Sequence, residues 1–62
     1  MRAKFYDNGT SLEIGISASD KSLLYFESKY EESELPTSIV ELSKKEVEEL
    51  IDFLGRKLEE ME

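Results

Sequence analysis

The segment Asp7-Asn8-Gly9-Thr10 constrains this chain more than any other. Asn-Gly is the preferred pair for a two-residue type I′ turn, because both central residues need positive φ. Such a turn sets the pairing of the strands on either side of it. Asp7 then faces Thr10, Phe5 faces Leu12, Ala3 faces Ile14 and Met1 faces Ile16. Beyond the turn these pairs are apolar and share one face. On the other face Lys4 opposes Glu13, a cross-strand pair of opposite charge. Turn chemistry and alternation thus agree on a hairpin over residues 2–18, with strands at 2–7 and 10–18.

Ser19-Asp20-Lys21-Ser22 is turn chemistry again. The aromatic-rich run that follows predicts a third strand over residues 22–30. A three-residue loop placing Ala18 opposite Ser22 brings Ile16 to Leu24 and Ile14 to Phe26. It also sets Gly15 opposite Tyr25, where an aromatic ring can cover bare glycine backbone. The same register sets Glu13 against Glu27, which is unfavourable. Residues 31–36 form an acidic link with Glu31, Glu32 and Glu34, and Pro36 holds Leu35 extended. The β-branched residues 37–41 predict a short extended segment that can serve as a fourth strand.

The helix signal is the strongest in the chain. Ser43 with Glu46 forms a capping box, and Leu42 with Val47 occupies the staple positions around it. Val47, Leu50, Ile51, Leu54, Leu58 and Met61 recur at spacings of three and four, one apolar stripe on a helix over residues 44–60. Lys45 with Glu49, Asp52 with Arg56 and Arg56 with Glu60 are spaced for ion pairs one turn apart. Lys44 and Lys45 at the start, and Glu59 and Glu60 at the end, oppose the helix dipole and point to a frayed last turn.

The expected architecture is therefore α+β. It is one small domain over residues 1–62, a three- or four-stranded antiparallel sheet in the order β-β-β-(β)-α. One C-terminal amphipathic helix is expected to pack on one face. Ala3, Phe5, Leu12, Ile14, Ile16, Leu24 and Phe26 would meet Val47, Leu50, Ile51, Leu54 and Leu58.

Composition narrows the chemistry. A chain of 62 residues buries only about 60% of the surface its unfolded form exposes. Domains this small usually add disulfides, metals or oligomerisation. With no Cys and no His, the chain has no disulfide, thiolate zinc site or catalytic triad base. Gly-rich phosphate loops and nucleophile elbows are absent too. We expect no enzyme activity, no catalytic or metal-binding residue and no cofactor. The remaining support is regular local structure and self-association. The N-terminus has no signal-like apolar run and no stretch is long enough for a membrane span, so a soluble cytoplasmic protein without membrane partners is expected.

The formal charge of -7 argues against direct binding of the nucleic-acid backbone. That charge is unevenly placed. Residues 1–30 hold four acids and four bases, whereas residues 31–62 hold the other eleven acids against four bases. Two faces follow as candidates. Tyr6, Leu23, Tyr25 and Tyr30 on the outer sheet face, with Phe53 on the helix, form a candidate surface for self-association or a protein partner. The alternative is that these are ordinary strand residues, singly exposed. Phe53 widens the helix stripe, and Gly55 beside it suits close approach, either by a sheet aromatic such as Phe26 or across an interface. Glu48, Glu49, Asp52, Glu59 and Glu60 form a candidate acidic partner face, set against the plain alternative of a solvated helix surface.

The expected function is a small non-enzymatic interaction module, a homodimer that regulates or inhibits a protein partner. Its composition is similar to that of the short acidic inhibitors and accessory proteins that viruses and mobile elements encode. The alternatives are an acidic mimic that blocks a nucleic-acid-binding protein and a structural accessory subunit.

Overall fold

Two adjacent residues with positive φ fold the chain back on itself at the expected turn. In the computed structural model, which describes residues 1–62, Asn8 has φ 46° and Gly9 φ 85°. Strand β1 (Ala3–Asp7) pairs antiparallel with β2 (Thr10–Ile16), placing Ala3 opposite Ile14, Lys4 opposite Glu13 and Phe5 opposite Leu12. Met1 lies outside the ladder, and β2 ends at Ile16, two residues before the expected end. The second turn closes through Asp20, whose side chain accepts from the Ser22 backbone at 2.9 Å and from its hydroxyl at 2.6 Å.

Strand β3 (Leu23–Tyr30) continues the sheet in the expected register, with Ile14 opposite Phe26, Gly15 opposite Tyr25 and Ile16 opposite Leu24. The extended segment after Pro36 is a full fourth strand, β4 (Ser38–Ser43), and it runs past the expected residues 37–41. It pairs with β3 through Leu24–Leu42 and Phe26–Val40. The sheet is a four-stranded antiparallel meander in the order β1-β2-β3-β4, followed by helix α1 (Lys44–Glu60).

Ser43 ends β4 and caps α1 at once. Its hydroxyl accepts from the Glu46 backbone at 3.3 Å, and the Glu46 carboxylate accepts from the Ser43 backbone at 2.9 Å. No residue lies between strand and helix. At the far end the helix holds to Glu60, because Lys57 reaches the Glu60 carboxylate at 3.1 Å and the Met61 backbone donates to Leu58 and Lys57. The last turn is helical, with one exposed ion pair along it. Of the expected ion pairs only Asp52–Arg56 forms, at 3.3 Å. Lys57 takes Glu60 in place of Arg56, and Lys45 and Glu49 stay apart.

The fold class is as expected, but the packing of the helix differs. Contacts of α1 are confined to β4 and β3, and it does not cover β1 or β2. Only Gly15 and Ser17 are buried, and no apolar side chain is. The physical reason is the missing connection. A helix that lies back across its own sheet usually needs a loop of about 2–6 residues, and here the cap follows the strand directly. The molecule is accordingly extended, with a radius of gyration of 13.1 Å against about 10.6 Å for a globular chain of this length. It exposes 5506 Å², where a compact monomer of its mass exposes about 4,100 Å².

Replacing Ser43 by Ala removes the hydroxyl acceptor at the strand–helix junction. The expected loss is about 1 kcal/mol, as a lower urea midpoint at unchanged slope, with Ser43→Asp retaining most of the stability.

Candidate functional site

Strand alternation sorts the sheet into two unlike faces. The inner face carries Ala3 and Phe5 from β1, Leu12, Ile14 and Ile16 from β2, Leu24 and Phe26 from β3, and Val40 and Leu42 from β4. Cross-strand pairing makes two apolar rows, Ala3–Ile14–Phe26–Val40 and Ile16–Leu24–Leu42, while the Phe5–Leu12 row ends in Ser28 and Ser38. Asp7, at the hairpin end, is the one charged residue in the ladder on this side. Ile14, Leu24, Phe26 and Leu42 are half-buried by their neighbours, while Phe5, Leu12, Ile16 and Val40 remain exposed. An antiparallel sheet usually packs such a face on a core.

The helix carries the matching surface. Val47 and Leu50 are half-buried, and Val47 lines a shallow hollow with Ile16, Leu24 and Leu42. From there on the stripe has no partner in the chain: Ile51 is 65% exposed, Leu54 54%, Leu58 69% and Met61 72%. Isolated exposed apolar residues are ordinary, but a contiguous patch on two elements marks an interaction surface.

The outer sheet face is different in kind. The Tyr25 hydroxyl donates to the Glu13 carboxylate at 2.6 Å, and the ring lies across Gly15. A Cβ at Gly15 would stand 2.8 Å from the ring, so only glycine admits this placement. Arg2 approaches the same carboxylate at 3.7 Å and Lys4 at 4.0 Å, and the Glu13 side chain is only 14% exposed. These partners set a hydrogen-bond donor and two positive charges against Glu13, which offsets the like charge of Glu27 opposite it. The Tyr25 hydrogen bond, aided by the charges of Arg2, Lys4 and Lys29, holds the Glu13 carboxyl below its usual range. Glu13 in turn pushes the Tyr25 phenol above its usual value.

The aromatic residues singled out from the sequence do not form one patch. Tyr6, Leu23 and Tyr25 share the outer face, Tyr6 exposed with the Lys4 ammonium 5.6 Å from its ring centre. Tyr30 pairs with Thr10 and so lies on the inner face with Phe26. Its even position on β3 was the signal. Phe53 sits on α1 apart from the stripe, half exposed, with Lys57 5.4 Å from its ring centre. No atom from elsewhere in the chain comes within 4 Å of a Cβ built at Gly55, so no sheet aromatic packs there. The inner sheet face, expected to be a core closed by the helix, is instead largely an open surface. The direct Leu42-Ser43-Lys44 junction was the signal.

The acidic residues Glu48, Glu49, Asp52, Glu59 and Glu60 are all exposed on α1. Asp52 and Glu60 are tied to Arg56 and Lys57, while Glu48, Glu49 and Glu59 are unpaired. No set of three or more carboxylates converges closely enough to hold a metal ion. No helix is long and apolar enough to cross a membrane. Comparison with protein-family models, curated proteins and solved structures finds no match.

The Glu13–Tyr25 pair makes stability depend on pH at both ends. A lowered carboxyl pKa contributes stability above the ordinary glutamate range and loses it as pH falls through the folded value. A raised phenol pKa contributes below the ordinary tyrosine range and loses it as pH rises through the folded value. The stability difference between wild type and Tyr25→Phe should be constant from about pH 5 to pH 9 and shrink on either side. Using the difference cancels the relief of charge repulsion that acid brings to both proteins.

Proposed function

We propose that this protein is a small non-enzymatic interaction module, active as a homodimer, that regulates or inhibits a protein partner. One observation carries this reading: the chain has a patterned apolar sheet face and a patterned apolar helix stripe, yet not one buried apolar side chain. Burial of such side chains is the dominant favourable term in folding. A second copy is the natural cover, since two-fold homodimers are the commonest assembly. The division of charge supports the same reading. The neutral sheet half supplies much of the apolar surface, and the link and helix hold the acidic surplus. The exposed carboxylates Glu48, Glu49 and Glu59 then stay outward, where they suit a protein partner with a basic surface.

The acidic-mimic alternative has no comparable support. A phosphate-like array needs unbroken negative charge, and Arg56 and Lys57 interrupt the helix face at Asp52 and Glu60.

Sedimentation should give twice the 7.2 kDa chain mass. Leu54→Asp with Leu58→Asp should shift it to the monomer, while Tyr6→Asp on the outer face should leave it unchanged. A wild-type monomer at high micromolar concentration, with stability independent of dilution, would reject self-association. For the partner, affinity capture from the native host should return a stoichiometric protein that is lost with Glu48→Lys and Glu49→Lys. Capture insensitive to these changes would move the partner site off the helix.

A further inference from the structure

We infer that the free half of the helix is seated on the inner sheet face of a second copy of this chain, each helix crossing to its partner's sheet about a two-fold axis. This rests on the self-association proposed above and adds which surfaces meet.

The junction at Ser43 is the first reason. The residue that ends β4 also caps α1, leaving no loop through which the helix can turn back over its own sheet. A connection too short for closure within one chain favours exchange of the element between two chains. Length is the second. Beyond Leu50 the helix continues for ten residues to Glu60, about 15 Å. Four strands span about 14 Å between the axes of the edge strands. The free half of the helix is therefore as long as the sheet is wide.

Area is the third reason. The chain exposes 5506 Å², about 1,400 Å² more than a compact monomer of its mass. Covering that surplus on two copies buries roughly 2,800 Å² in total, within the range of about 2,000–5,000 Å² of obligate homodimers.

Charge decides between the alternatives. Each copy carries -7, so a dimer must keep its carboxylates apart and in water. Ile51, Leu54, Leu58 and Met61 bring no charge to the interface, and the facing sheet offers only Asp7 at its far end. Joining two outer faces would instead desolvate the Glu13 and Glu27 carboxylates of both copies. Pairing two helices alone would leave Phe5, Leu12 and Ile16 in water. Pairing two β4 edges would leave both apolar surfaces uncovered.

The chain has no cysteine, so introduced thiols report without background. One chain carries Leu54→Cys and a second, tagged for mass, carries Leu12→Cys. Both positions are exposed in the single chain, and Phe5→Cys replaces Leu12→Cys if that variant does not fold. The two are refolded together at high micromolar concentration, sedimented, and treated with a short bis-maleimide. Exchange gives a dimer mass and a hybrid Leu54-to-Leu12 adduct as the dominant product. A dimer in which Leu54-to-Leu54 adducts dominate overturns the exchange and leaves self-association standing. So does a dimer in which neither adduct forms with either sheet position. A monomer mass overturns both. A single chain carrying both substitutions gives the last control: an adduct within one chain at monomer mass means that the helix folds back on its own sheet, and the exchange is wrong.

Discussion

An antiparallel sheet one layer thick holds together only if one of its faces leaves water. In this protein four strands in register bring Phe5, Leu12, Ile14, Ile16, Leu24, Phe26, Val40 and Leu42 to one side, with Asp7, Thr10, Ser28 and Ser38 toward the hairpin end. The chain's single helix reaches only β3 and β4. Everything unusual about the molecule follows from that partial cover. Its radius of gyration is large, its apolar stripe lies in water and no apolar side chain is buried. The shortfall comes from geometry, not from a lack of hydrophobic residues. Apolar surface is present on both elements, and the direct strand-to-helix junction lets them meet within one chain only at the first turns of the helix.

The two faces of the sheet contrast in how far they are satisfied. On the outer face Glu13 gathers a hydrogen bond from Tyr25 and the charges of Arg2 and Lys4, and the Tyr25 ring takes the space that Gly15 leaves open. Those groups need nothing further from a partner. The inner face and the helix stripe have no such closure. Charge is divided along the chain: residues 31–62 hold eleven acids against four bases, and those on the helix lie away from its apolar stripe. A second copy can cover the apolar surfaces while the carboxylates remain hydrated, so stability and outward acidity do not conflict.

Much of the fold was legible in the sequence because its determinants are local. Asn8 and Gly9 tolerate positive φ, and that alone sets the pairing of β1 with β2. Period-two alternation extends the register to β3, including the Gly15–Tyr25 contact. The capping box and the spacing of three and four define the helix to the residue, from Lys44 to Glu60. The candidate surface was less legible. Alternation places Tyr6, Leu23 and Tyr25 on the outer face as expected, but Tyr30, expected with them, shares the parity of Phe26 and lies on the inner face. The ion pairs at the helix end were gathered by spacing, but Lys57 lies closer to Glu60 than Arg56 does and takes it.

By itself the sequence determined the strands, their register, the cap and the amphipathic stripe, since each depends on residues near one another in the chain or on the fixed periods of strand and helix. Only the tertiary structure decided where the helix goes. That direction depends on how strand and helix join in space at Ser43, where one residue serves both elements. Hydrophobic pattern says that two surfaces must be buried. It carries no information on whether they can reach each other within one chain, because the hydrophobic effect is non-directional and reach is a matter of backbone geometry.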